Sequence, residues 1–235
     1  MIKINNLTKK YKDKLAVDNL NLEIKTGELF SLLGTNGAGK TTTIKMLSTL
    51  ILPTSGEVEI NNLDLVKDSS KIKEIINISP QETAVASNLT VLENLYFMAG
   101  IYQIPNKEDK IKELIKLFKL EEVLKQKAKT LSGGYQRKLS IAISLINNPK
   151  ILFLDEPTLG LDVISRHDLW KIIEALKGKT TIILTTHYME EAEALSDRIG
   201  IMNKGKLIEL GTSKELIKKA KTKNFEDAFI KIIEE

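Results

Sequence analysis

The segment LFSLLGTNGAGKTT, residues 29–42, joins a short apolar run to a glycine-rich loop. The loop satisfies the pattern G-x-x-x-x-G-K-[ST] at Gly34, Gly39, Lys40 and Thr41. The sequence predicts a buried strand before the loop and a helix after it, through Leu50. In such a unit, glycines let backbone N–H groups surround phosphate oxygens, the lysine reaches the outer phosphates and the threonine hydroxyl ligates Mg²⁺. The alternative is a glycine-rich turn with a capping threonine, which would make the flanking strand and helix a coincidence.

Two later apolar runs end in polar residues. ILFLDEP places Asp155 and Glu156 after one run, and TIILTTH places His187 after another. Unbroken apolar runs are typical of parallel strands covered on both faces, and α/β sheets bind ligands at the carboxyl ends of such strands. We interpret Asp155 as part of the Mg²⁺ shell, Glu156 as the base that deprotonates the attacking water, and His187 as a γ-phosphate contact. The alternatives are a solvated strand end and a structural histidine.

Composition limits the class of protein. The 235 residues are 42% hydrophobic and contain no cysteine, which excludes disulfides and thiolate metal sites. Lys and Arg total 35 against 31 Asp and Glu, and only three of the basic residues are arginines, so nucleic acid is not an expected partner. The N-terminus lacks the apolar core of a signal peptide, and the longest apolar runs are far shorter than the ~18 residues of a membrane span. We therefore expect a chain that is soluble as it stands.

The order of the predicted elements indicates an α/β fold. Apolar residues alternate with polar ones near the N-terminus, which predicts half-buried strands of a mixed or antiparallel sheet, at Leu20, Leu22, Ile24, Val58 and Ile60. Residues 82–130 are helical by spacing, with a capping box at Thr90 and Glu93. Residues 203–205 predict a hairpin turn, and the last twelve residues predict an amphipathic helix.

A second glycine-rich segment, LSGGYQRK, occupies residues 131–138. Ser132 is placed as an N-cap, and apolar residues on one face follow it, so residues 132–134 (the signature segment) open a second helix with free N–H groups. Such a helix start is another potential anion site, although most capped helices bind nothing. From spacing alone, the segment could serve the same phosphate as the loop at residues 34–42 or a different one.

The ordered set of motifs carries a family resemblance. LSGGYQRK, ILFLDEP, TLGLD and TTH, with GTNGAGKTT upstream and SPQE between, resemble the nucleotide-binding domain of the ATP-binding cassette (ABC) superfamily over essentially the whole chain. The resemblance implies a P-loop NTPase core with a mostly parallel sheet, an N-terminal antiparallel β subdomain and an inserted helical subdomain. We divide the chain accordingly into a nucleotide-binding core (1–81 and 131–215), a helical subdomain (82–130) and a C-terminal helical tail (216–235).

The resemblance also implies ATP and Mg²⁺ as cofactors and a head-to-tail dimer, in which each ATP lies between one chain's loop at residues 34–42 and the other chain's signature segment. It assigns Tyr11 to adenine stacking, although a core or surface tyrosine is the better interpretation from spacing alone. It assigns Gln81 to sensing Mg²⁺ and water, and Asp162 to crosstalk across the dimer. The expected nucleotide contacts are Tyr11, Gly34, Thr35, Asn36, Gly37, Ala38, Gly39, Lys40, Thr41, Thr42, Gln81, Ser132, Gly133, Gly134 and Asp162. The expected metal contacts are Thr41, Gln81 and Asp155, and the expected catalytic residues are Glu156, His187 and Lys40.

Departures from the family pattern are small. Thr35 replaces a frequent proline, Tyr135 replaces a frequent glutamine, and Val163 follows Asp162 where a proline is common. The segments LTVLENL, SRHDLW and NFEDAF are similar to the drug-exporter branch. We therefore expect an ATPase subunit, cytoplasmic and peripheral on the inner face of the membrane, that pairs with a second copy or a homologous subunit and drives an integral membrane permease. The alternative is a soluble, non-transport ABC ATPase that acts on nucleic acid or ribosomes.

Overall fold

The computed structural model describes residues 1–234, which form ten strands and nine α-helices. The strands are β1 (Ile2–Tyr11), β2 (Lys14–Ile24), β3 (Leu29–Gly34), β4 (Ser55–Ile60), β5 (Leu63–Asp64), β6 (Ile76–Ser79), β7 (Ile151–Asp155), β8 (Thr181–Thr186), β9 (Arg198–Asn203) and β10 (Lys206–Gly211). The helices are α1 (Lys40–Leu47), α2 (Ser69–Ile75), α3 (Val91–Ile101), α4 (Lys107–Phe118), α5 (Gly133–Ser144), α6 (Val163–Leu176), α7 (Met189–Leu195), α8 (Ser213–Ala220) and α9 (Phe225–Glu234).

Two sheets organise the chain. Strands β2, β1, β4 and β5 form an antiparallel sheet in that order. The larger sheet has the order β10-β9-β3-β8-β7-β6, and only the β9–β10 hairpin is antiparallel. Parallel pairing aligns the carboxyl ends of five strands at one edge, which is where ligands bind in α/β folds.

The larger sheet is covered on both faces, as its unbroken apolar strands require. Along β7, Leu152 and Leu154 pack with the helices α3 to α6, whereas Ile151 and Phe153 pack with α1 and the antiparallel sheet. A third cluster packs Leu33 of β3 and two residues of β9 against α7, α8 and α9. Three separate apolar clusters therefore fix the larger sheet, and with it the edge at which its parallel strands end.

Most predicted elements are confirmed. The strands expected near the N-terminus and in the three apolar runs are present, and β9 and β10 form the expected hairpin. The capping box is also present, because the Thr90 hydroxyl accepts from the Glu93 N–H while the Glu93 carboxylate accepts from the Thr90 N–H. Strand β1 is also present, although the sequence pattern did not predict a strand there, because it pairs with β2 and β4.

The helix predicted through Leu50 is shorter than expected. Helix α1 ends at Leu47, because Thr49 adopts a left-handed conformation with φ 61° and the Leu50 N–H donates to the Lys45 carbonyl. Such a residue ends a helix by satisfying its last carbonyls. The proposed domain boundaries remain a proposal, and the final residue of the predicted tail, Glu235, lies outside the described residues. Within residues 1–234, no helix combines the length and the apolar character that crossing a bilayer needs.

Candidate functional site

Four parallel strands deliver the predicted site residues to one edge of the sheet. In the strand register, Ser79 lies opposite Leu154, Asp155 opposite Thr185, and Leu33 opposite Thr186. The residues that follow these strands therefore start at one level. They are the loop at residues 34–42 after β3, Gln81 after β6, Glu156 after β7 and His187 after β8.

The loop at residues 34–42, hereafter the P-loop, has a backbone that only glycine fits at the residue before α1. Gly39 caps α1 with φ 103°, and a Cβ atom there would lie 2.5 Å from the Ala16 carbonyl oxygen. Lys40 is the first residue of α1 and is buried. Its ammonium donates to the carbonyls of Gly34 at 2.6 Å and Thr35 at 3.2 Å, which holds it across the loop.

The two acids at the end of β7 have different surroundings. Asp155 accepts hydrogen bonds from the hydroxyls of Thr41 at 3.0 Å and Thr185 at 2.5 Å. Glu156 has φ 49° and turns its carboxylate the other way, where one oxygen lies 2.7 Å from His187 Nδ1 and the other 3.4 Å from Lys40 Nζ. Both acids are nearly buried. Two neighbouring carboxylates are therefore aimed at different partners, which permits different chemical roles.

These side chains border a pocket of about 400 Å³. Its lining contains all the P-loop residues from 36 to 42, together with Gln81, Glu156 and His187. It also contains three residues that the sequence analysis missed, Lys14, Ala16 and Leu159. Only the pairing of β1 with β2 could have indicated Lys14, because Lys14 lies opposite Tyr11 in that hairpin. Tyr11 is not in the lining; it lies beside the pocket, half-exposed, with the Lys9 ammonium 5.0 Å from the centre of its ring.

A second group of predicted residues lies outside this pocket. The Ser132 hydroxyl caps α5, and Asp162 caps α6 by accepting from the N–H and the hydroxyl of Ser165. A Cβ atom on Gly134 would lie 2.9 Å from the Ser165 hydroxyl, so the signature segment and the start of α6 are in contact. The hydrogen bond from the Ser165 side chain lowers the pKa of Asp162. None of these residues belongs to the lining of the P-loop pocket.

Arg137 connects the two groups. It is buried on α5, one turn after the signature segment, and its guanidinium donates to the carbonyls of Pro80 at 2.7 Å and of Gln81. Burial lowers the pKa of Arg137, while the charges of Asp155 and Glu191 oppose that effect. The loop that bears Gln81 is thus fastened to α5, a contact that the sequence motifs alone did not indicate.

The residues around Asp155 suit a hard divalent cation. A carboxylate and a threonine hydroxyl lie 3.0 Å apart, and both are ligand types that Mg²⁺ accepts. Residues 1–234 contain no group of three or more histidine and acidic side chains arranged for a metal. Mg²⁺ bound with substrate phosphates needs only one or two protein carboxylates, so the set fits that mode of binding.

Comparison with known proteins identifies the family of the chain. A family model described as ABC transporter matches residues 17–159. The phospholipid-transporting ATPase ABCA3 of Homo sapiens is 43% identical over 218 residues, which are 90% of this chain and 13% of that protein. The linearmycin resistance ATP-binding protein LnrL of Bacillus subtilis (strain 168) is 40% identical over 219 residues, 92% of this chain and 70% of that protein. The chain thus spans only a small part of ABCA3.

A solved structure extends the agreement to the fold. The dimeric post-hydrolysis state of the ATP-binding cassette MJ0796, bound to ADP and Pi, has a TM-score of 0.82 and 30% identity, covering 90% of this chain and 98% of that chain. The family model covers more than half of the chain, and the alignment with LnrL covers more than two thirds of that relative. The P-loop, the acid pair and the histidine meet at one edge of the sheet, and the chain belongs to the ABC transporter family as an ATP-binding cassette.

Proposed function

We propose that this chain is the ATP-hydrolysing subunit of an ABC transporter of the exporter type, and that two copies, or one copy and a homologous subunit, enclose two ATP molecules head to tail. One observation carries the proposal. Lys40, Glu156 and His187 meet in a single pocket, while the signature segment and Asp162 form a separate surface outside it. A pocket that binds phosphate on one side and a capped helix start elsewhere are complementary halves of an interface between two copies.

The nucleotide-binding part of the pocket is built from the P-loop. Its backbone N–H groups and the start of α1 favour the phosphates, and the Lys40 ammonium lies close enough to exchange the Gly34 and Thr35 carbonyls for phosphate oxygens. Tyr11, at the end of β1 beside the pocket, is the proposed support for the adenine ring. Thr41, Asp155 and Gln81 would hold Mg²⁺, which when bound neutralises charge on the β- and γ-phosphates.

The catalytic residues of the pocket are Glu156 and His187. The water oxygen attacks the γ-phosphorus, its proton passes to the Glu156 carboxylate, and the bond to the ADP oxygen breaks. The 2.7 Å contact with His187 Nδ1 orients that carboxylate, leaving Nε2 of the ring available to donate to the γ-phosphate. Once Glu156 has taken the water proton, its carboxyl can donate to Nδ1 of the His187 tautomer that carries its hydrogen on Nε2. Such general-base assistance is worth about 10²–10⁴ in rate.

The opposing half of each site is the signature segment of the other chain. Helix α5 begins at Gly133, and none of residues 132–134 lines the P-loop pocket of the same chain, so the first N–H groups of α5 are proposed to bind the ATP of a partner. The related cassette MJ0796 is dimeric with ADP and Pi bound, which supports this arrangement. ATP then supplies the differential binding that favours the closed pair, and its hydrolysis removes it.

We assign the driven partner to a separate membrane permease. This chain spans 70% of LnrL, whose name associates it with resistance to linearmycin, and it resembles part of a phospholipid-transporting ATPase. In this proposal the permease supplies the pathway through the bilayer. The proposed location is the inner face of the membrane, with no nucleic acid among the partners.

A mixing experiment tests the shared site. Lys40→Ala removes phosphate binding in one chain, and Ser132→Arg blocks the helix start in the other. Each variant alone has two defective sites. A head-to-tail mixture of the two contains one intact site per mixed pair, so equal mixing should restore about a quarter of the wild-type hydrolysis rate. A site completed within one chain gives no restoration, and that result would overturn the head-to-tail arrangement.

The role of Glu156 is tested by Glu156→Gln. The variant should bind ATP, turn over about 10²–10⁴-fold more slowly and accumulate as a dimer in light scattering with ATP and Mg²⁺. Glu190→Gln is the matched control, because Glu190 is an exposed acid near the same strand end, and it should hydrolyse ATP as the wild type does. A Glu156→Gln chain that hydrolyses ATP at the wild-type rate contradicts the assignment.

Transport itself is tested on membranes. Affinity-tagged protein should copurify with an integral membrane protein, and its deletion should reduce efflux. If neither holds and if DNA or ribosomes stimulate hydrolysis instead, the soluble mechanochemical class replaces the transporter. That comparison separates the two functions directly.

A further inference from the structure

A buried polar cluster lies behind the pocket, on α7. Glu191 is the third residue of that helix and has no exposed surface. One of its carboxyl oxygens, Oε1, accepts two hydrogen bonds, from the Thr158 hydroxyl at 2.8 Å and from the Trp170 indole N–H at 3.0 Å. All three residues are buried, so this is a network inside the protein rather than a surface contact.

The cluster joins the two segments that begin with the catalytic pair. Thr158 lies two residues after Glu156, and Glu191 lies four residues after His187. The segments are therefore connected twice, at their start by the 2.7 Å contact between Glu156 and His187 and further along by the hydrogen bond between Thr158 and Glu191. Trp170 adds α6, the helix that Asp162 caps. Two connections fix the relative position of two segments where one would leave them free to rotate.

The chemistry of the cluster requires an acceptor and not a charge. Both hydrogen bonds converge on Oε1, while Oε2 is buried without a hydrogen-bond partner among residues 1–234. Burial raises the pKa of Glu191, which favours the neutral acid. A glutamine has the same shape and the same acceptor oxygen, whereas an alanine leaves two buried donors without a partner.

We propose that Glu191 is a positioning residue for ATP hydrolysis, because it holds the segment after Glu156 against the segment after His187 and so fixes the carboxylate that activates water. This inference depends on the proposed function of the Glu156–His187 pair. Glu191 makes no hydrogen bond to either of those residues, so its positioning role is exerted through the segments that carry them. Its contribution should therefore appear in the chemical step and not in nucleotide binding.

The test compares substitutions in the full chain. Glu191→Ala should lower kcat by about 10²-fold, the size of effect expected for a displacement of about 1 Å at a catalytic group, with the Kd for ATP changed less than about threefold. Glu191→Gln should keep kcat within about threefold of the wild type, because it keeps the acceptor. Glu193→Ala is the matched control, since it removes an exposed acid from the same helix. Trp170→Phe removes one donor, keeps an aromatic ring and should lower kcat by a smaller factor, which provides a reading if Glu191→Ala does not fold.

A double substitution distinguishes positioning from general destabilisation. In the Glu156→Gln background, adding Glu191→Ala should not reduce the single-turnover rate further, because the group being positioned has gone. The inference is overturned if Glu191→Ala or Trp170→Phe leaves kcat unchanged, if ATP affinity falls together with kcat, or if the two substitutions reduce the rate multiplicatively. A wild-type chain that does not hydrolyse ATP would remove the proposed function first, whereas an active wild type with an equally active Glu191→Ala variant rejects only this inference.

Discussion

Substituting alanine for Gly39 should damage the P-loop by two separate effects, backbone strain and a steric clash. The backbone at Gly39 has φ 103°, where an L-residue is strained by about 1–3 kcal/mol. The added Cβ would also lie 2.5 Å from the Ala16 carbonyl oxygen, a contact with backbone that cannot be relieved by rotating a side chain. Overpacking of this kind destabilises by about 1–3 kcal/mol. The sum is about 2–6 kcal/mol of the free energy of unfolding, a large share of the ~5–15 kcal/mol typical of a folded domain.

Gly37→Ala is the matched control, because it separates the two causes. Gly37 also has positive φ, at 81°, but a Cβ atom there meets nothing within 4 Å. The free energy of unfolding of Gly37→Ala should therefore fall only by the cost of the left-handed backbone, about 1–2 kcal/mol. Both glycines are in the same loop and line the same pocket, so the difference between the variants reports the contact with Ala16.

Thermal and urea unfolding measure the difference. In a chain of this size, 1 kcal/mol shifts the midpoint temperature by about 2–4 °C. An alanine at position 39 that costs about 4 kcal/mol should lower the midpoint by about 8–16 °C, against about 2–8 °C at position 37. ATP binding, measured well below both midpoints, should also weaken more for Gly39→Ala. Equal losses at the two positions, or a Gly39→Ala variant as stable as the wild type, would refute the steric reasoning.

Three further predictions concern buried or capping groups. Burial raises the pKa of Glu191 above its ordinary value of 4.5, so above that pH the folded chain binds more protons than the unfolded chain and its stability falls as pH rises. Glu191→Gln has no such group, so its stability should rise relative to that of the wild type as pH increases above 4.5, which urea unfolding at several pH values can measure. Arg137→Met leaves the carbonyls of Pro80 and Gln81 without their donor and should cost about 1–3 kcal/mol of unfolding free energy, whereas an unchanged urea midpoint would contradict the fastening of that loop. Thr90→Ala should cost about 1 kcal/mol by removing the cap of α3, which thermal unfolding can measure.

The parts of the fold that follow from local sequence were predictable. Strands β3, β7 and β8 are buried on both faces, so each appears as an unbroken apolar run that a sequence pattern can detect. The cap at Thr90 depends on residues only three positions apart. The convergence of the P-loop, Glu156 and His187 could also be anticipated, because parallel strands place their carboxyl ends at one sheet edge.

Contacts between distant segments were not predictable from the motifs. Arg137 and Gln81 are 56 positions apart, and their hydrogen bond exists because α5 packs beside β6. Glu191 reads as one of several acids on an amphipathic helix, and only the structure distinguishes it from its exposed neighbours. The early end of α1 depends on the conformation of Thr49, for which the sequence contains no strong signal such as glycine. In each case the deciding energy comes from tertiary packing and not from local preference.

Helix α5 has a mechanical consequence for a pair of such chains. Arg137 holds the loop that bears Gln81, the proposed sensor of the chain's own nucleotide, and the start of the helix at Gly133 is only about 6 Å away along the axis, at 1.5 Å per residue. Because a single helical turn is stiff, a sideways movement of the Gln81 loop moves the start of α5 with it. Hydrolysis of ATP at one site of the pair would then reach the other site as a rigid-body movement of α5, without a diffusing messenger or a second ligand.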